Sequence, residues 1–283
     1  MRINTIGIIG AGIMGAGIAQ TCAVAGLNVI LNDIDDQAIR QAIKAIDTNL
    51  GRQLARTSLT AIEKDSALSR IKASPLLADL AQADFMIEAA TERLETKQTI
   101  IKSLEDIATP TTIIATNTSS VSITKLARAL SYPERFIGMH FFNPVPSMAL
   151  VEVIRGVHTG AQVYAETMDL AKRMNKVPIP VKNSPGFIVN RLLIPMISEA
   201  IFLLQEGVAE AEDIDNAMKL GSNHPIGPLK LADMIGLDTI LSVMEVLYKE
   251  FSESKYRPAQ LLREMVDAGH LGRKTKRGFF QYS

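Results

Sequence analysis

The run Gly10-Ala11-Gly12-Ile13-Met14-Gly15 constrains this chain more than any other stretch. It follows a short apolar segment, Ile3 to Ile9, which has the pattern of a parallel strand buried on both faces. It leads into a helical pattern from Ile13 to Ala25. In this order Gly10 allows a tight turn, Gly12 lets the backbone approach a pyrophosphate, and Gly15 lets helix and strand pack closely. The N–H groups of the helix start, at Ile13 and Met14, would face that anion. The glycines alone specify only a tight strand-to-helix turn. What adds a ligand is the second strand, Asn28 to Asn32, ending at Asp33. An acid there either caps the next helix or accepts hydrogen bonds from both adenosine ribose hydroxyls. In the second role it would repel a 2′-phosphate, so the pattern predicts NAD rather than NADP.

Further strands are predicted at Ile71 to Ala73, Phe85 to Ala89, Thr112 to Ala115, Arg135 to Phe142, Ala149 to Ile154 and Lys176 to Val181. Helical spacing separates most of them, for example Asp36 to about Arg56, a second helix opened by Thr60-Ala61-Ile62-Glu63 in capping-box form, and Leu94 to Ile107. After Lys182 strand patterns stop. Ser184-Pro185 reads as the N-cap and first position of a helix that is apolar nearly all round, Gly186 to Gln205, interrupted by Asn190, Arg191 and Pro195. Later helices read as Ala211 to Leu220, Leu237 to Glu250 and Ala259 to Ala268, with Gly221 to Pro228 as a loop. The expected architecture is therefore α/β: a Rossmann-type N-terminal domain over 1–183 and an all-helical C-terminal domain over 184–283 for substrate binding and dimerisation.

Ligands of open α/β sheets bind beyond the carboxyl ends of the strands, which directs attention to the residues there. Glu92 follows one strand and points toward the cofactor. Lys97 is a cation on the first turn of a helix, a place unfavourable to the dipole and so suggestive of a role. Thr116-Asn117-Thr118-Ser119-Ser120 either orients a substrate carbonyl or caps the next helix. His140 and Glu152 sit twelve residues apart in neighbouring strands, on either side of Asn143-Pro144-Val145-Pro146-Ser147. Histidine is the natural proton shuttle at neutral pH, and a carboxylate can fix its tautomer and stabilise the imidazolium. Alternatively they are a core histidine and a strand-edge charge. Arg52 and Arg56 share a helix face and are either solvated charges or ligands of a phosphate. Asn190 binds either a substrate oxygen or the first domain.

Lys plus Arg and Asp plus Glu both total 30, so nothing favours nucleic acid or an anionic membrane as partner. The single cysteine, Cys22, cannot form an internal disulfide and reads as core packing. His224 and His270 have no companions at metal-ligand spacing, so no metal site is expected. The start of the first strand at Ile3 leaves no secretory leader, and a cytoplasmic location fits best.

Together GIIGAGIMGAGIAQ, NTSS, MHFFNPVPSMALVEVIRG, NSPGFIVNRLLIPMISEA and LGRKTKRGFF resemble the 3-hydroxyacyl-CoA dehydrogenases, more narrowly their bacterial 3-hydroxybutyryl-CoA forms, over essentially the whole chain. The resemblance implies His140 as catalytic residue paired with Glu152, and Ser119 and Asn190 on the reacting oxygen. It further implies Asp33, Glu92, Lys97, Asn117, Asn143 and Lys274 around NAD, and coenzyme A over the helix of Arg52 and Arg56. The implied substrate is an (S)-3-hydroxyacyl-CoA, short-chain by preference, and the implied assembly a homodimer. The alternatives are a longer-chain or 3-hydroxyadipyl-CoA dehydrogenase, a free-acid β-hydroxyacid dehydrogenase, and a non-catalytic NAD-binding protein.

Overall fold

The computed structural model describes residues 3–283. The chain divides into two compact units, Met1–Ser184 and Pro185–Ser283.

The first unit is a single eight-stranded sheet. Its parallel heart is β1 (Thr5–Ile9), β2 (Asn28–Asn32), β3 (Ile71–Ser74), β4 (Phe85–Glu88), β5 (Ile113–Thr116) and β6 (Phe136–Phe141). Then come β7 (Leu150–Arg155), antiparallel to β6, and β8 (Val177–Lys182), parallel to β7; the order across the sheet is β3-β2-β1-β4-β5-β6-β7-β8. The order reverses between β1 and β4, which makes a crevice beyond their carboxyl ends. The connecting helices are α1 (Ile13–Val24), α2 (Asp36–Ala55), α3 (Ala61–Ser69), α4 (Leu94–Ile107), α5 (Ile123–Ala127) and α6 (Ala161–Arg173).

The apolar runs form these strands because both faces are covered. Ile6, Ile8, Leu31, Phe85 and Ile87 expose 1% or less of their surface. Each such side chain stabilises the fold by roughly 1.5–3 kcal/mol on burial. α1 buries several small residues in this core, Ala16, Ala19, Cys22 and Ala23, together with the larger Ile18. Burial pushes the Cys22 thiol up to about 12, which keeps it an inert packing group.

The second unit is helical: α7 (Val189–Gln205), α8 (Ala211–Gly221), α9 (Pro228–Ile235), α10 (Leu237–Phe251) and α11 (Gln260–Asp267) around a core of Ile197, Ile201, Leu229, Ile240, Met244 and Leu262. Here the structure corrects the sequence expectation twice. Ser184-Pro185 does not open α7; residues 185–188 form turns, because Gly186 and Phe187 take φ of 71° and 50°, and the helix begins at Val189. Beyond the expected loop Gly221 to Pro228, a stretch to which the sequence reading gave no element forms α9, which starts at the last residue of that loop. Among the described residues no helix is long and apolar enough to cross a membrane.

Candidate active site

The glycine loop has the form that a dinucleotide requires. At Gly10, φ is 100°, and a Cβ there would meet the Ala89 carbonyl and Ala90 Cα at 2.7 Å. A Cβ on Gly15 would run into the Gly10 carbonyl oxygen. Gly12, by contrast, faces open space and is the N-cap of α1 with no side chain capping the first turn. The N–H groups of that turn, including those of Ile13 and Met14, therefore offer a pyrophosphate a cradle. Asp33 stands at the end of β2 with Oδ2 accepting from Ala11 N at 2.7 Å and Oδ1 from Asp35 N at 3.0 Å. The cap of α2 is Asp35 instead, accepting from Gln37 N. Asp33 is thus fastened to the glycine loop and is not itself the cap of the helix that follows.

At the ends of β4 and β5 the polar residues bind one another. Glu92 accepts from Ser119 N at 2.7 Å, from Ser119 Oγ at 2.9 Å and from Thr118 Oγ1 at 2.7 Å. Lys97 is 2% exposed; its Nζ lies 2.7 Å from Glu88 and 3.6 Å from Glu92. Asn117 accepts at Oδ1 from the backbone N–H of Phe141 at 2.8 Å, which ties the β5 loop to β6 beside His140.

His140 and Glu152 lie directly opposite one another in the antiparallel β6–β7 pair. Cross-strand partners project to the same face, so register alone brings the side chains together. The distance from His140 Nδ1 to Glu152 Oε2 is 2.8 Å, and the two residues are 5% and 0% exposed. A carboxylate accepting from Nδ1–H selects the tautomer in which Nε2 carries the lone pair. The Phe142 ring lies 4.5 Å away, tilted by 53°. This arrangement suits proton transfer to and from an alcohol or ketone oxygen.

Thus Gly10, Gly12, Gly15, Asp33, Glu92, Lys97, Asn117, Ser119, His140 and Glu152 all lie at or beside carboxyl ends of strands of one sheet. Asn143 is exposed in the turn after β6. Arg52 is exposed on α2 and Arg56 is exposed at its C-cap; Arg52 helps line a groove of about 340 Å³ with Gln41, Lys44, Thr48 and Asn49. In the second unit, Asn190 is half-buried in the first turn of α7. Lys274 contacts both oxygens of Asp238 at 2.6 Å. Sequence reasoning missed Glu88, which is hidden in the apolar run of β4. Its only signal was a carboxylate inside a strand core with a lysine nine residues on.

The family model of the 3-hydroxyacyl-CoA dehydrogenase NAD-binding domain matches residues 5–184, and that of the C-terminal domain matches residues 186–282. A 3-hydroxybutyryl-CoA dehydrogenase of Bradyrhizobium diazoefficiens is 50% identical over 280 residues, covering 99% of this chain and 96% of the relative. One from Clostridioides difficile is 46% identical over 278 residues, covering 98% and 99%. The crystal structure of (S)-3-hydroxybutyryl-CoA dehydrogenase PaaH1 from Ralstonia eutropha superposes with a TM-score of 0.96 at 58% identity, over 100% of both chains.

Proposed function

The chain belongs to the 3-hydroxyacyl-CoA dehydrogenase family, and from that premise we propose that it interconverts (S)-3-hydroxyacyl-CoA and 3-oxoacyl-CoA, with the four-carbon pair 3-hydroxybutyryl-CoA and acetoacetyl-CoA preferred. The observation that carries this reading is the cross-strand His140–Glu152 pair at 2.8 Å, beside the strand ends of an NAD-binding sheet.

Bound NAD would supply the hydride acceptor for C3 of the hydroxyacyl group and, once reduced, the hydride donor for the reverse reaction. In oxidation, neutral His140 takes the proton of the 3-hydroxyl at Nε2, leaving the ketone; in reduction, His140 gives it back to the new alkoxide oxygen. Glu152 holds the ring and stabilises the imidazolium. Ser119 and Asn190 orient the reacting oxygen. Gly10, Gly12, Ile13, Met14 and Gly15 receive the pyrophosphate and Asp33 the ribose, with Glu92, Lys97, Asn117, Asn143 and Lys274 around the rest of NAD. Arg52 and Arg56 meet coenzyme A phosphates, and their planar guanidinium groups suit bidentate contact.

The test is consumption of NADH with acetoacetyl-CoA, repeated with NADPH and with lengthening or carboxylated acyl chains. Fast turnover with NADH that declines as the chain grows is expected. A preference for longer or carboxylated chains would replace the substrate, and no turnover with any acyl-CoA would sink the reading. The protein works, in this proposal, as a cytoplasmic homodimer through the second unit. Support comes from α7 and the turn before it, where Ile188 and Leu192 are 40% and 71% exposed. Sedimentation should give twice the 30.8 kDa of one chain; a single-chain mass would refute it.

A further inference from the structure

A fourth glycine of the opening motif has no part in the roles above. Gly17 lies within α1, one helical turn past the N–H groups of the pyrophosphate cradle and about 7.5 Å along the axis from the N-cap Gly12. A Cβ built on Gly17 would meet Val145 Cβ at 2.9 Å, Val145 Cγ2 at 3.1 Å and Pro146 Cδ at 3.6 Å. Glycine at this position therefore lets the loop between β6 and β7 lie directly on α1. The valine Cβ stands next to the backbone and branches there, so it cannot swing aside as the tip of a long side chain could. A methyl at 17 must displace either the loop or the helix.

The same loop is held from a second side. Lys176, 7% exposed and just ahead of β8, donates from Nζ to the carbonyl oxygens of Val145 at 2.6 Å and Met148 at 2.8 Å. Burying an ammonium is costly unless it finds good acceptors, and both acceptors of this one lie in the loop. The loop also closes on itself, with Ser147 N and Met148 N donating to Pro144 O at 3.0 Å each. Val145 is 2% exposed and belongs to the core of the sheet, whereas Asn143, two residues earlier, is exposed. A pinned centre thus carries an open, polar start.

We propose that Gly17 and Lys176 are positioning residues: they seat the β6–β7 loop on α1 and so fix Asn143 relative to the pyrophosphate cradle at the start of that helix. This inference rests on the proposed contact of Asn143 with NAD. One rigid helix then gauges two points of the cofactor site, the cradle at its first turn and, through Val145, Asn143.

The experiment uses the full-length protein with Gly17→Ala and measures the Kd for NADH by fluorescence and the Kd for ADP by calorimetry. ADP carries the adenosine and pyrophosphate that Asp33 and the glycine loop receive, and lacks the rest of the cofactor. Loss of one hydrogen bond weakens binding by roughly three- to tenfold. Gly17→Ala is expected to weaken NADH by that factor and to leave ADP within about twofold of the parent's value. Asn143→Ala should weaken NADH to the same extent, and adding Gly17→Ala to it should do no further harm. With Val145→Gly in place the crowded atoms are gone, and the alanine at 17 should then cost less than about twofold.

Equal losses of NADH and ADP affinity would mean that the methyl distorts the cradle itself, and would overturn the inference. An unchanged NADH affinity, or the same loss with and without the Val145 side chain, would overturn it too. If Asn143→Ala binds NADH like the parent, the contact assigned to Asn143 has failed and the inference falls with it. If Asn143→Ala weakens NADH and Gly17→Ala does not, that contact stands and the inference alone falls. Should Gly17→Ala not fold, Lys176→Met, which releases the loop without a clash, decides by the same two constants: NADH weakened and ADP kept supports the seat, and any other pairing removes it.

Discussion

Replacing His140 with Gln preserves much of the ring's volume while removing the only group in the β6–β7 pair that can both take and give a proton at neutral pH. General acid–base catalysis contributes about 10²–10⁴-fold, so kcat should fall by that range while NADH binding is kept, as steady-state rates and a fluorescence titration would show. Glu152→Gln should lower kcat as well, because an amide can orient the ring but cannot stabilise its positive charge. Near-normal turnover in His140→Gln would remove the histidine from the mechanism. Both residues were legible as a candidate pair because each interrupts an apolar strand. Their 2.8 Å contact was not, since it depends on strand register, which the twelve-residue separation leaves open. Lys97 shows the opposite: its helical position was readable, but its direction was not. The first turn of α4 lies over β4, so the side chain turns inward to Glu88 instead of outward.

At the scale of elements, local chemistry was readable and borrowed chemistry was not. Thr60 and Glu63 form the reciprocal capping box that their spacing announces, and α3 starts where they place it. β1 and the cores of β2 and β5 were legible as short apolar runs. At α9 the N-terminal donors are satisfied from elsewhere: the Asp215 carboxylate on α8 accepts from Leu229 N at 2.8 Å and Lys230 N at 3.0 Å. A cap supplied from another helix leaves no mark beside the helix it caps. Gly227 and Pro228, the N-cap and first residue of α9, closed the expected loop and were the unread signal that a helix follows it. At α7 the error ran the other way. Ser184-Pro185 has the composition of a helix start, but the positive φ at Gly186 and Phe187 delays it to Val189.

For the whole molecule, the response of stability to pH carries the imprint of Lys176. This lysine is 7% exposed, and its Nζ donates to the carbonyl oxygens of Val145 at 2.6 Å and Met148 at 2.8 Å, in the loop joining the His140 and Glu152 strands. Burial holds its pKa below the ordinary 10.5. Between the lowered value and 10.5 the unfolded chain keeps a proton that the folded chain has released, so this group's contribution grows more favourable as pH rises. Urea unfolding across the alkaline range should therefore show the parent gaining on Lys176→Met with increasing pH. A constant difference between the two would contradict this.

The last residues of the chain deserve to be treated as masonry rather than trim. Asp233, 1% exposed in α9, accepts from Phe279 N and Phe280 N at 2.9 Å each and from Tyr282 Oη at 3.0 Å, while Gly278 packs against its carboxylate with no room for a side chain. Cutting the chain before Gly278 would strand a buried carboxylate without these donors, a loss felt by the helical unit far more than by the sheet. For anyone shortening the protein, the practical consequence is that Gly278 to Tyr282 must be kept.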